Sequence, residues 1–86
     1  MKDTTMMRIL DHMIDNEMVR FEDDYGTVIE VFKTSNRFYE MSTRSRNGQM
    51  LSSTYFNRYE SDGGLVRLYW GVHIVGMICS ERLSKE

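Results

Sequence analysis

The hydrophobic period changes once along the chain, near Glu17, and that change limits the folds open to it. From Asp3 to Asn16 the apolar residues recur at helical spacing. At about 100° per residue, Met6, Met7, Ile9, Leu10, Met13 and Ile14 share one arc, and Arg8, Asp11, His12, Asp15 and Asn16 fill the other. This predicts an amphipathic helix whose methionine-rich stripe is core. Asp3, Thr4 or Thr5 can cap its first turn, and Asn16 can leave it in a left-handed conformation.

After Glu17 the period is two and turn residues are frequent. Met18 to Glu22, a turn at Asp23-Asp24-Tyr25-Gly26, and Thr27 to Thr34 predict a first hairpin. Ser35-Asn36 leads into Arg37 to Arg46; Asn47-Gly48 predicts a two-residue type I′ turn, and Gln49 to Tyr59 returns. A turn at Ser61-Asp62-Gly63-Gly64 opens the last apolar run, Leu65 to Cys79, in which Gly71 and Gly76 mark bulges or a break. The part after Gly71 is open to either a strand or a short closing helix, and the run itself to a core strand or a dimer edge. The expected fold is α+β: an N-terminal amphipathic helix followed by an antiparallel β-meander of about five strands. With 86 residues, no proline and no repeat, the chain reads as one domain, 1–86. A domain this small buries about 60 to 65% of its unfolded surface, so a second copy or a partner would add burial, and a homodimer is one expectation.

The single cysteine, Cys79, excludes an internal disulfide, and the N-terminus has no secretory pattern, so a cytoplasmic location is expected. Leu65 to Cys79 is too short to cross a bilayer and is interrupted by Arg67 and His73, so no membrane partner is expected. The net charge of −2 is unevenly spread. Residues 1–30 carry eight acids against three bases, and residues 31–60 five bases against two acids. The basic stretch contains RFYEMSTRSRNGQMLSSTYFNRY, Arg37 to Tyr59.

A two-residue Asn47-Gly48 loop would pair Tyr39 with Phe56 and Met41 with Thr54, placing them on the core face with Thr43, Ser45, Met50 and Ser52. Phe38, Arg44, Arg46 and Tyr55 would then stand outward with Glu40, Ser42, Gln49, Leu51, Ser53 and Asn57. Rings, arginines and amides together can stack on bases and neutralise phosphates, and they also make protein hot spots. A solvated sheet face is the plain alternative. Arg37 and Arg58 would lie opposite one another, an unfavourable like-charge pair unless the ladder ends first or an anion or Glu60 intervenes.

No catalytic or cofactor motif is present. His73 and Cys79 lie roughly 20 Å apart along an extended strand, too far for a dyad. Asp11, His12 and Asp15, like Glu22-Asp23-Asp24, lack the ligands of a zinc or calcium site. No cofactor or metal is expected. A small metal-independent ribonuclease needs only Arg, Tyr and His and stays open. In size, in its single α+β domain, in its aromatic and methionine-rich make-up and in its lack of catalytic machinery, the chain resembles the small early proteins that bacteriophages direct against host defence. These include CRISPR, toxin and nuclease inhibitors. The resemblance implies stoichiometric masking of a host protein or its RNA. The leading expectation is a non-enzymatic inhibitor whose contact uses Phe38, Arg44, Arg46 and Tyr55, with Arg37 and Arg58 as further binding candidates. RNA or single-stranded DNA binding by the same hairpin is the alternative. The acids Asp11, Asp15, Glu22, Asp23 and Asp24 offer a second surface, as a crude phosphate mimic.

Overall fold

The computed structural model describes residues 4–85. One helix, α1 (Thr4–Asp11), precedes eight strands: β1 (Met18–Glu22), β2 (Val28–Lys33), β3 (Tyr39–Arg44), β4 (Met50–Phe56), β5 (Arg58–Asp62), β6 (Leu65–Trp70), β7 (His73–Cys79) and β8 (Ser84–Lys85). A single 3-10 turn, Ser80–Arg82, separates the last two strands. All pairing is antiparallel, in two sheets ordered β4-β3-β2-β1-β8 and β5-β6-β7. This overturns the helix-plus-meander expectation: the protein is mostly β, with two packed sheets and one short helix.

The helix stops at Asp11 rather than Asn16 because the following backbone pairs elsewhere. Asn16 N–H donates to the Lys33 carbonyl at 2.7 Å, and Lys33 N–H to the Glu17 carbonyl at 2.9 Å, tying this segment to β2. His12 Nδ1 donates to the Arg8 carbonyl and so satisfies one acceptor at the frayed helix end. Asn16 does adopt a left-handed conformation (φ 68°), but in the turn beyond the helix. Asp3 and the side chains of Thr4 and Thr5 lie outside what is described, and the expected N-terminal cap falls on them. Met6, Leu10 and Met13 are buried as the helical stripe requires, whereas Ile14 is 70% exposed.

The run Gln49 to Tyr59 is two strands in different sheets. Phe56 pairs with Tyr39 in the first sheet and Arg58 with Tyr69 in the second. Asn57 makes the crossing: its N–H donates to the Tyr69 carbonyl at 2.8 Å, and its Oδ1 accepts from Gly71 N–H at 2.9 Å. Leu65 to Cys79 is likewise two strands, reversed at Gly71-Val72 with Trp70 paired to His73. The stretch after Gly71 is therefore β7, an edge strand, and β6 is the central strand of its sheet.

The core lies between the sheets. Its fully buried side chains are Phe21, Phe56, Met6, Leu10, Leu68, Val31 and Val66, each contributing about 1.5 to 3 kcal/mol for the larger apolar groups. Tyr39 stacks on Phe56 with centroids 4.8 Å apart and planes at 7°, as the expected pairing of these two residues allows.

Asn47-Gly48 does not form a two-residue loop. Ser45 N–H donates to the Gln49 carbonyl at 2.8 Å and Gly48 N–H to the Ser45 carbonyl at 2.9 Å. Gly48 has a φ of 90°, whereas Asn47 is not left-handed, so the loop is a three-residue one that ends on a left-handed glycine. A second irregularity then shifts the pairing from Arg44–Met50 to Thr43–Ser52, with Leu51 as the extra residue. The two shifts cancel. From Thr43 back to Tyr39 the expected register therefore holds, while at the tip it does not.

Candidate functional site

The outward face of the first sheet can be read row by row from the pairing. One row is Met18, Phe32, Glu40 and Tyr55; the next is Arg20, Glu30, Ser42 and Ser53; the third is Ser84, Glu22, Val28, Arg44 and Met50. Phe38 precedes β3 at the edge of the first row. Its ring meets Tyr55 edge-on at 5.6 Å and Trp70, from the second sheet, at 5.5 Å. Tyr55 and Trp70 are 6.5 Å apart and tilted. Three rings from two sheets therefore support one another at one end of the sandwich.

This cluster is only partly covered. Tyr55 is 55% exposed, Trp70 44%, and Val72, at the adjoining turn, 83%. Ile74 is also exposed. A shallow depression of about 350 Å³ lies beside the rings, lined by Thr54, Tyr55, Trp70, His73 and Val75. Trp70 is the functional candidate that sequence reasoning misses. Its signal was Gly71-Val72, a glycine-first pair of the kind that makes a two-residue hairpin loop.

The arginines expected beside these rings are elsewhere or engaged. Glu30 draws two arginines of the face toward itself: Arg20 donates to its Oε2 from Nε at 3.0 Å, and Arg44 Nε lies 3.9 Å from its Oε1. With Glu22 and Glu40, the face carries three carboxylates against two guanidinium groups among the described residues. Arg46 stands at the hairpin tip, where its stem packs on Gly26: a Cβ built there would come within 3.2 Å of Arg46 Cγ. The structure thus keeps Phe38 and Tyr55 together and separates both arginines from them.

Arg58 is bound within the second sheet. It ion-pairs with Glu60, donates to the Gly71 carbonyl from Nε and Nη2, and lies 4.0 Å from the centre of the Tyr69 ring. The clash with Arg37 does not arise, because the first-sheet ladder ends at Tyr39–Phe56 and Glu60 takes Arg58. Arg37 is exposed, with a φ of 69°. It lines a cavity of about 560 Å³ with Asp15, Lys33, Ser35, Tyr39, Asn57 and Tyr59.

The acidic set does not form one surface. Asp11 accepts from the Tyr59 hydroxyl at 2.6 Å, and Asp23 Oδ1 accepts from the N–H groups of Tyr25 and Thr27, shaping its turn. Burial, followed by the bond to Asp11, raises the Tyr59 hydroxyl's pKa well above the usual tyrosine range. Among the described residues, no group of three histidine, cysteine, aspartate or glutamate side chains could hold a metal ion, and no helix is long and apolar enough to cross a membrane. A second cavity, about 530 Å³, opens between the edges of β4 and β7, lined in part by Ser52, Thr54, Val75, Met77 and Cys79. Comparison with protein-family models, characterised proteins and solved structures finds no match.

Proposed function

We propose that this chain is a non-enzymatic binding protein that occupies a partner protein's surface with the apolar end built by Phe38, Tyr55, Trp70 and Val72. One observation carries this reading: the Phe38 ring stands edge-on to both Tyr55 and Trp70 while about half of Tyr55 and Trp70 faces solvent. Interface hot spots are enriched in tryptophan and tyrosine, and rings already held in place lose little freedom on binding. The resemblance to phage anti-defence proteins adds the partner class, a host nuclease or toxin.

The RNA reading is weaker on this geometry. Nucleic-acid binding needs arginine or lysine free to neutralise phosphates. Here the ring-bearing face has more acids than bases among the described residues, and Arg20 and Arg44 turn to Glu30. The ribonuclease reading needs a base beside a guanidinium group. His73 instead lines a depression that has no arginine in its wall.

The test is co-purification from host lysate with wild-type protein and with a Tyr55→Ala, Trp70→Ala double variant, each checked for folding by circular dichroism. The expected result is one protein recovered stoichiometrically by the wild type and lost with the folded double variant. Equal recovery by both would remove this surface from the reading. Analytical ultracentrifugation of the pure protein separates a second copy from a heterologous partner.

A further inference from the structure

Three hairpin loops of the first sheet close in the same way, and one differs in its chemistry. In the first, Asp23 N–H donates to the Thr27 carbonyl at 3.0 Å with Gly26 at a φ of 81°. In the third, Ser45 N–H donates to the Gln49 carbonyl with Gly48 at a φ of 90°. In the second, Thr34 N–H donates to the Phe38 carbonyl at 2.9 Å, and the left-handed position is taken by Arg37 at 69°. A side chain in this conformation costs about 1 kcal/mol relative to glycine. The loop keeps an arginine where its two counterparts use glycine.

The Arg37 side chain is not used by the fold. It is exposed, and among the described residues it makes no ion pair or hydrogen bond. It lines the 560 Å³ cavity together with two other sources of unused donors. Lys33 Nζ spends one donor on the Met13 carbonyl at 3.0 Å, leaving two N–H groups. Asn57 spends its Oδ1 on Gly71 N–H, which fixes the amide and leaves its NH2 group free to donate. The hydroxyls of Tyr39 and Tyr59 are committed to the Leu10 carbonyl and to Asp11, so these rings act as walls. Among the described residues Asp15 is the single acid in the lining, which leaves one net positive charge from Lys33 and Arg37.

We propose that this cavity binds a carboxylate group, with the Arg37 guanidinium as the forked donor and Lys33 and Asn57 as flanking donors. One net positive charge suits a monoanion better than a phosphate dianion, and the planar arginine fork matches a carboxylate. The carboxylate can come from a free organic acid or from the end of a protein chain. The proposal does not depend on the aromatic end being a partner interface.

The test is a titration followed by the backbone amide resonances of Ser35 and Arg37 and the side-chain amide of Asn57, with acetate, N-acetylphenylalanine and inorganic phosphate as probes. The expected result is saturable shifts with acetate at dissociation constants on the order of millimolar to tens of millimolar, and weaker binding of phosphate at pH 7.5. Binding of N-acetylphenylalanine about tenfold tighter than acetate assigns the carboxylate to a chain end; equal binding assigns it to a free acid. Arg37→Gly should lose the shifts while its melting temperature stays level or rises, because glycine suits the loop. Arg37→Lys should bind with intermediate affinity. Phosphate binding more tightly than acetate, no saturation at about 100 mM acetate, or unchanged binding by Arg37→Gly overturns the proposal.

Discussion

The Phe38 ring stands edge-on to Trp70, with centroids 5.5 Å apart and planes at 85°, although the two residues reach this contact from different sheets. Edge-to-face pairs contribute about 0.5 to 1.5 kcal/mol beyond their buried area. Trp70 therefore has a structural share and an exposed share. Trp70→Ala should lower stability by about 1 to 2 kcal/mol in chemical denaturation and leave the fold intact. Under the proposed function, the same change should weaken partner binding about 30-fold or more, as a hot-spot truncation does. Because Trp70 is the one tryptophan in the chain, its fluorescence reports this end of the molecule directly. A partner that leaves the emission unchanged on binding sits elsewhere.

Glu30 decides between the protein and nucleic-acid readings. It holds Arg20 and faces Arg44, and its side chain is 19% exposed against 47% for Arg20. Partly exposed pairs of this kind contribute at most about 1 kcal/mol, so Glu30→Gln should be well tolerated. Its consequence should be electrostatic: the face loses the Glu30 charge beside Arg20 and Arg44, and single-stranded RNA should be retained better by the variant than by the wild type at about 50 mM salt. The wild type should show no saturable RNA binding there. If it does bind, with a steep loss on adding salt, Arg20 and Arg44 are available to phosphate after all.

The local pairings were legible in the sequence and the division into two sheets was not. Tyr39 opposite Phe56 and Met41 opposite Thr54 follow from alternation, and they hold even though the Asn47-Gly48 loop has three residues, because Leu51 restores the phase. The helix is overextended when read from periodicity alone, since Met13 and Ile14 keep the spacing while the backbone of Asn16 and Glu17 is taken by Lys33. The exchange at Asn57 leaves only a local trace: unbroken alternation would put Arg58 on the core face with Phe56, yet Arg58 is exposed and Tyr59 packs against the core, and only the partner strands reveal that Phe56 and Arg58 belong to different sheets. The same holds for the site. Phe38 and Tyr55 are recognisable as outward rings, but Trp70 joins them through a contact between sheets that no local spacing encodes.

Gly26 and Gly48 allow the cost of backbone conformation to be separated from the cost of contact. Both are left-handed, at 81° and 90°, but a Cβ at Gly48 would meet nothing within 4 Å, whereas one at Gly26 would press on Arg46 Cγ at 3.2 Å. Gly48→Ala should cost about 1 kcal/mol from the backbone alone. Gly26→Ala should cost more, by up to about 1 kcal/mol, and the excess should disappear in an Arg46→Ala background. A double-mutant cycle by urea denaturation measures that coupling. Zero coupling would mean that Arg46 moves aside freely and does not shape the first hairpin turn.

Tyr59 predicts how stability responds to alkaline pH. Its hydroxyl donates to Asp11 at 2.6 Å, and burial together with that bond holds its pKa above the unfolded value of about 10. The folded state therefore favours the neutral, protonated ring. By linkage, the stabilisation is fully present below about pH 10 and is lost as the pH rises above it, because the unfolded chain ionises first. The wild type should lose unfolding free energy between about pH 9 and pH 11, and Tyr59→Phe should lose less over the same interval, since it has no proton to release. At neutral pH the variant lacks the bond to Asp11 and should be less stable by about 1 kcal/mol. Parallel pH profiles for the two proteins would show that Tyr59 ionises as freely in the folded state as in the unfolded chain, and that the hydroxyl bond does not fasten α1 to β5.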